Sequence, residues 1–267
     1  RHAGLGERLG FRDDFTEGRS EMEWLRHLYE IVRQQAARHG VERPDFETFW
    51  EQGYIADPVA KHYDYLSGYR ADPDAKKLRT PSGKIEIFSE KVASFGYDDC
   101  PGHPVWIEPA EWLGSPQADG KLHLISNQPT MRLHGQLDNG PVSRASKVKG
   151  REPVLINPED AAERGIADGD VVRLFNGRGA CLAGAAVTDT MSRGVLQLQT
   201  GAWYDPDQPG RVGTLDRHGN PNVLTLDKGT SKLAQGPISQ TTLVEIERWN
   251  EPVPEIRAFD QPSVTRG

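Results

Sequence analysis

From Glu152 to Thr200 the sequence alternates short apolar runs with tight turns, and this spacing constrains the fold more than any other feature of the chain. Val154-Leu155-Ile156 reads as a buried strand. Asn157 then caps a short helix, with Pro158 at its first position, Glu159 and Asp160 in its first turn and Gly165 as its stop. Ile166 to Asp170 turns tightly into a strand from Val171 to Phe175, Asn176-Gly177 signals a hairpin, and Ala180 to Thr188 returns. Lys121–Ser126, Gly194–Thr200 and Thr241–Glu247 are further strands. Five or more short strands separated by one-turn helices and long excursions predict a closed or nearly closed β-barrel.

Upstream the pattern is helical and irregular. Residues 1–19 show no periodicity and read as an irregular lead-in. Ser20 and Glu23 form a capping box, Trp24, Leu25, Leu28, Tyr29 and Val32 fall at helical spacing, and Arg38-His39-Gly40 is a basic last turn with a glycine stop. A second short helix carries Phe46, Phe49 and Trp50 before Gly53, and this aromatic clustering reads as packing between elements. Asp57-Pro58 and Asp72-Pro73 break the stretch from Tyr54 to Arg79. Lys84 to Phe88 alternates as a strand, and a short helix follows Ser89. Cys100 to Pro116 is an extended connection with Trp106 and Trp112 tucked against a surface. The expected division is 1–115 as the end of a preceding α/β unit, 116–250 as the barrel and 251–267 as an extended tail bearing Pro252, Pro254 and Pro262.

Composition narrows the function classes. A chain of 267 residues with 28 Gly and 19 Pro implies many short elements, in one large domain or two unequal ones. A net charge of −7 argues against the basic footprint that non-specific nucleic-acid binding needs. Cys100 and Cys181 lie too far apart for a zinc or iron–sulfur spacing and read as unpaired side chains. No apolar run approaches the length of a membrane helix, and the first residue, Arg1, suggests a start inside a longer polypeptide.

Chemistry has few places to reside. Neither a dinucleotide glycine loop, a P-loop, nor a nucleophile elbow is present, and His103, His123, His134 and His218 have no metal-ligand spacing. What remains is SNQPTMRLHGQ after one strand, the GAWYDP turn and GNPNVLTLDKGTSKLAQG. The stretch from Gly201 to Gln235 has hardly an apolar run and reads as loop rather than core. Its amides, hydroxyls and aromatic faces on a glycine-rich backbone suit a large, polar, planar ligand.

At these motifs the chain resembles the C-terminal part of the bacterial molybdopterin S- and N-oxide reductases. FTEGRSEMEWLRHLYE, TPSGKIEIFSE, YDDCPGHPVW, RLHGQL, EPVLINPEDAAERGIADGDVVRLFNGRG, GAWYDP, GNPNVLT, GTSKLAQG and TTLVEIE follow in the family's order. The resemblance implies a mainly β fold with some α: a six-stranded double-psi β-barrel over about 120–250, preceded by a partial α/β segment and closing on molybdenum bis(molybdopterin guanine dinucleotide). By matching motifs, Ser126, Asn127, Gln128, Arg132, His134 and Gln136 form one cofactor contact, and Trp203, Asn222 and Gln235 another. Asp160 accepts from guanine or acts as a structural cap. Gln128 stands where trimethylamine-N-oxide-type relatives often carry His, which leans toward the biotin-sulfoxide branch. The family's metal ligand and substrate-pocket aromatics lie in a preceding portion, so no catalytic residue and no metal ligand is assigned here. The implied partners are that preceding portion, an S- or N-oxide substrate and an electron donor. A stand-alone barrel used as a binding module, and an unrelated hydrolase on a barrel, are the alternatives.

Overall fold

The computed structural model describes residues 2–56 and 64–261, and the chain divides into two compact units, with the division falling between Ile85 and Glu86 in the sequence. The expected break at Asp57-Pro58, like Pro262 of the tail, lies outside the described residues.

In the first unit α1 (His2–Leu9) and α2 (Arg12–Thr16) replace the irregular lead-in expected there. They form because each supports the other: Phe11 N–H donates to the Gly6 carbonyl at 2.9 Å, and Gly6 lets the Arg12 backbone approach. Neither has the length to show a periodicity. The capping box is realised at α3 (Glu21–Arg38), where the Ser20 N–H donates to the Glu23 carboxylate at 2.8 Å and the Ser20 hydroxyl accepts from the Glu23 N–H. The Asp45 side chain caps α4 (Phe46–Gln52), and Gly53 ends it in the left-handed region. Tyr29 stacks on Phe49 with centroids 4.6 Å apart and meets Phe46 edge-on, so the aromatics of α3 and α4 pack together. Leu25, Leu28, Ile31 and Val32 on α3 nevertheless remain exposed. α5 (Ser67–Ala71) completes the unit.

No strand forms over Lys84 to Phe88. The segment is irregular, with Ile85 and Ile87 exposed, because no described strand pairs with it and an alternating run without a partner has nowhere to place its backbone hydrogen bonds. In the second unit α6 (Glu90–Ala93) is capped by Ser89 as expected. Trp106, at 78% exposure, is not tucked against a surface. The connection is instead anchored by Glu111, whose carboxylate takes a two-pronged bond from Arg178 and accepts the Leu243 N–H at 2.7 Å.

The strands are β1 (Leu122–Ile125), β2 (Pro153–Ile156), β3 (Val171–Phe175), β4 (Ala180–Val187), β5 (Val195–Leu198), β6 (Leu215–Asp216) and β7 (Thr242–Arg248). Their order β2-β5-β1-β7-β3-β4 closes through a further β2–β4 pairing, and β6 adds beside β4. The pairs β1–β5 and β2–β4 are parallel, while the other four contacts of the ring are antiparallel. This is the six-stranded double-psi β-barrel. Leu124, Val154, Ile156, Leu174, Leu196 and Val244 fill its interior. Between β1 and β2 lies α7 (Pro141–Ala145), and between β2 and β3 lies α8 (Pro158–Glu163), which opens with the Asn157 side chain accepting the Glu159 N–H.

One close approach is decisive for closure. At Gly184, where β4 faces both β2 and β3, a Cβ would collide with the Val148 side chain and carbonyl. Gly184→Ala is therefore expected to cost about 1–3 kcal/mol by overpacking. Urea unfolding followed by far-UV circular dichroism measures it; an unchanged midpoint would show that the Val148 segment yields freely.

Candidate functional site at one end of the barrel

Strand direction decides which loops meet. β1 and β5 run parallel, with Ile125 opposite Gln197, so the loops leaving them, 126–136 and 199–205, open at the same end. β7 is antiparallel to β1, with Leu124 opposite Thr242, which brings the segment before β7 to that end. β3 is antiparallel to β7, and the Asn176 amide reaches the Leu243 carbonyl at 3.2 Å, so the β3–β4 turn is there too. Asn176 and Arg178 also donate to the Leu224 carbonyl, at 2.9 and 2.7 Å, which fixes the turn bearing Asn222. Loops at one end of a rigid barrel are where a ligand site is built.

The structure places the expected site residues unequally. The Ser126 backbone is clamped by the Gln240 side chain, whose Oε1 accepts its N–H at 3.1 Å and whose Nε2 donates to its carbonyl at 2.5 Å. Asn127 donates through Nδ2 to the Gln128 carbonyl, while its Oδ1 is buried without a partner. Gln128, His134, Gln136 and Asn222 are exposed. His134 sits at φ +50 against Gly201, where a Cβ would collide with its carbonyl, and Gly201 itself has φ +93. The Trp203 indole N–H donates to the Gly135 carbonyl at 2.6 Å, tying the two loops together. Gln235 folds onto its own loop, donating to the Ser231 carbonyl at 3.0 Å. The Asp160 carboxylate lies at the other end of the barrel, at the start of β5, where it accepts from Arg193 Nε at 3.2 Å and the Gly194 N–H at 2.7 Å.

Arg132 points inward instead of outward. Its side chain is 1% exposed and lies in a sealed ionic cluster: its Nη2 is 3.1 Å from Glu152 Oε2 and its Nε 3.4 Å from Asp138 Oδ1. The Lys147 ammonium bridges the same two carboxylates at 2.9 and 2.8 Å. Ser143 Oγ donates to Asp138 Oδ1 at 2.9 Å, and the other Asp138 oxygen accepts the Trp203 N–H at 3.0 Å. Arg132 further donates to the carbonyls of His134 and Thr200. Two cations, two carboxylates and three loop segments thus share one buried base.

The long stretch after β5 is also more deeply buried than its polarity suggests. Asp216, His218 and Leu224 are fully buried, which corrects its reading as loop throughout. Burial is tolerated because one Asp216 oxygen accepts three successive N–H groups, from His218, Gly219 and Asn220, at 3.1, 2.8 and 2.8 Å, and the other accepts the Asp205 N–H at 2.8 Å. Burial pushes this carboxyl up, against those four donors. Gly219, at φ +95, passes so close to Glu152 that a side chain would not fit. Asp138, Lys147, Glu152 and Gln240 belong to the site without any sign in the sequence. Their partners lie far along the chain, and no local spacing marks them.

His218 lies fully buried against this base, its Nδ1 3.8 Å from Asp138 Oδ2. Its Nδ1 lies 2.9 Å from the Trp203 carbonyl, which can only accept, so Nδ1 carries the proton and Nε2 is left without a partner. Burial, then the nearby Lys147 charge, holds the imidazole below its ordinary value, with Asp138 and Glu152 opposing. For Asp138, burial pushes the carboxyl up, but the bonds from Lys147, Trp203 and Ser143 outweigh it and the net direction is down.

The donor set fits a flat, nitrogen-rich ligand. Asn127 Oδ1 is a buried acceptor lacking a donor, and the exposed amides of Gln128, Gln136 and Asn222, at the same barrel end as the indole of Trp203, can match a pterin or guanine edge and face. Among the described residues no group of three or more His, Cys, Asp or Glu is placed to hold a metal.

Two outcomes follow from the buried base. Lys147→Met leaves two carboxylates facing one guanidinium and is expected to destabilise the barrel by about 3–5 kcal/mol. Chemical denaturation at neutral pH reads this, and a loss under about 1 kcal/mol would mean that water reaches the cluster. Between the ordinary imidazole value of about 6.5 and the lowered folded one, the unfolded chain binds a proton that the folded chain refuses. Stability is therefore full above that window and falls as pH drops through it. In His218→Asn the decline between pH 7.5 and 5.5 should flatten; parallel curves for the two proteins would assign the effect elsewhere.

The profile described as Molydopterin dinucleotide binding domain matches residues 122–243. A dimethyl sulfoxide/trimethylamine N-oxide reductase of Cereibacter sphaeroides is 47% identical over 97% of this chain and 32% of its own length. A biotin sulfoxide reductase of the same organism is 53% identical over 91% of the chain, and a trimethylamine-N-oxide reductase of Salmonella typhi 47% over 93%; the chain covers 32% and 30% of them. The chain thus spans about a third of the length of these relatives. Among solved structures, acetylene hydratase from Pelobacter acetylenicus superposes with a TM-score of 0.58 over 83% of this chain and 32% of its own, at 17% identity, a likeness of fold. Residues 122–243 thus carry a molybdopterin dinucleotide-binding domain, and the chain is similar over nearly all of its length to about a third of the dimethyl sulfoxide, trimethylamine-N-oxide and biotin sulfoxide reductases.

Proposed function

We propose that this chain is the C-terminal, dinucleotide-binding part of an enzyme that reduces S- or N-oxides by oxygen-atom transfer, with molybdenum bis(molybdopterin guanine dinucleotide) as cofactor. The observation that carries the reading is the convergence at one barrel end of Asn127 Oδ1, a buried acceptor awaiting a donor, with the Trp203 indole and three exposed amides. When bound, such a cofactor supplies the two-electron chemistry by which the oxide oxygen is removed and released as water. The residues of this chain bind and orient. Asn127, Gln128, Gln136 and Asn222 meet heteroaromatic edges, Trp203 offers a face, and His134 meets a pterin edge or a phosphate. Ser126 and Gln235 shape the loops from which these side chains project, and Arg132 holds the backbone of His134 and Thr200 in place from below. Asp160 is assigned to anchoring the start of β5.

The remaining partners are an oxide substrate, an electron donor and the rest of the enzyme, which in this reading supplies the metal ligand and the substrate pocket. The expected division into 1–115, 116–250 and 251–267 is kept as part of the proposal, the first piece belonging with that remainder. Gln128 leans toward a biotin-sulfoxide-type substrate.

The test is made on the full-length gene product. Metal analysis should find molybdenum, acid hydrolysis should release two GMP per metal, and a dye-linked assay should show turnover of dimethyl sulfoxide, trimethylamine N-oxide or biotin sulfoxide. Absence of both metal and turnover in a folded protein would sink the reading; one GMP would reject only the bis-guanine form. In the same protein, Asn222→Ala and His134→Ala should each weaken cofactor retention by about 1–3 kcal/mol and leave the melting temperature of the apo-protein nearly unchanged. Full retention with a lowered melting temperature would make both residues structural. The 267-residue chain alone should neither hold molybdenum stoichiometrically nor turn over any oxide, since it offers only part of the contacts that must offset the cost of association.

A further inference from the structure

Trp203 is bound to its surroundings at four points. Its N–H donates to Asp138 Oδ2 at 3.0 Å, its carbonyl accepts from His218 Nδ1 at 2.9 Å, and its indole N–H donates to the Gly135 carbonyl at 2.6 Å. The first two fix the backbone and the third fixes one corner of the indole. A ring held at one corner still rocks about it. The fourth point is the Phe259 ring, whose centroid lies 5.6 Å from that of the indole at an interplanar angle of 64°.

Phe259 comes from the arm after β7, which closure of the barrel does not require. That arm is nevertheless tied down along its length. Arg151 donates to the Pro254 carbonyl at 2.5 Å, Ile256 lies against Gly150, and the Arg257 N–H donates to Asp205 Oδ2 at 2.7 Å. The Phe259 ring then stands perpendicular to His218, with centroids 5.0 Å apart, and beneath the Arg144 guanidinium at 5.4 Å. A ring gripped by an imidazole and a guanidinium from two separate segments is a fixed wall for the indole beside it. The two rings are tilted and not stacked, and Trp203 remains 37% exposed.

We propose that Phe259 is a positioning residue for Trp203: through this ring the C-terminal arm sets the orientation in which the indole meets the dinucleotide. The inference rests on the assignment of Trp203 as a cofactor contact. Loss of the ring removes an aromatic contact whose worth corresponds to a roughly 2- to 10-fold change in an equilibrium.

Two measurements test it. The first is ¹⁹F NMR of the 267-residue chain labelled with 5-fluorotryptophan, with the Trp203 line assigned by its loss in Trp203→Phe. The second is the molybdenum and pterin retained by the full-length protein after gel filtration. Phe259→Ala should broaden or split the Trp203 line, leave the lines of the other tryptophans in place, and lower retention roughly 2- to 10-fold. Phe259→Tyr should restore both. An unchanged Trp203 line overturns the proposal, as does a shift of every tryptophan line together, which would mark the arm as a general staple. If Phe259→Ala does not fold, Phe259→Leu, which keeps apolar bulk but not the ring, is read in the same way. Trp203→Ala separates the two readings. Full retention there refutes Trp203 as a cofactor contact; loss there with full retention in Phe259→Ala refutes the positioning role alone.

Discussion

The loop end of this barrel depends on four charges sealed beneath it. Arg132, Lys147, Asp138 and Glu152 neutralise one another at separations of 2.8 to 3.4 Å, with side chains no more than 1% exposed. Such a cluster is costly to desolvate and adds little net stability over an apolar core. Its directed bonds give something an apolar core does not, namely the relative position of segments with little else to hold them. Arg132 bonds the backbone at His134 and Thr200, and Asp138 bonds the backbone of Trp203. The side chains that face outward are therefore placed by those that face inward.

A second device works beside it. The Asp216 carboxylate collects four backbone N–H groups and so folds the chain around itself from Asp205 to Asn220. That knot brings His218 against the ionic cluster and leaves the neighbouring Asn222 at the surface. Glycines at 201 and 219 let backbones approach where a Cβ would collide, so the two devices can sit against each other. The result is a rigid floor with short polar loops above it, the arrangement that binding a large planar ligand through many individually weak contacts requires.

Among the described residues the first unit offers no comparable device. Its aromatic cluster of Tyr29, Phe46 and Phe49 holds α3 to α4, while Leu25, Leu28, Ile31 and Val32 stay exposed along α3.

Much of this is legible in the sequence, for reasons that are local. A capping box acts within four residues, an Asn–Pro helix start within two, and strand alternation within five, so α3, α8 and most of the barrel strands can be read directly. The ordered series of motifs, itself a property of the linear chain, carries the family resemblance. Tertiary structure decided the rest, wherever the outcome depended on partners distant in the chain. Lys84 to Phe88 alternates as a strand should, yet stays irregular for want of a neighbour. Asp160 reads as a ligand residue or a cap, and is bonded to Arg193 and Gly194 because β2 and β5 are antiparallel neighbours. Arg132 reads as a ligand residue and turns inward because Asp138, Lys147 and Glu152 form a pocket of balanced charge that its guanidinium completes. Sequence order fixes which residues a loop contains. Which of them face the ligand depends on charges and carbonyls brought close by closure of the barrel.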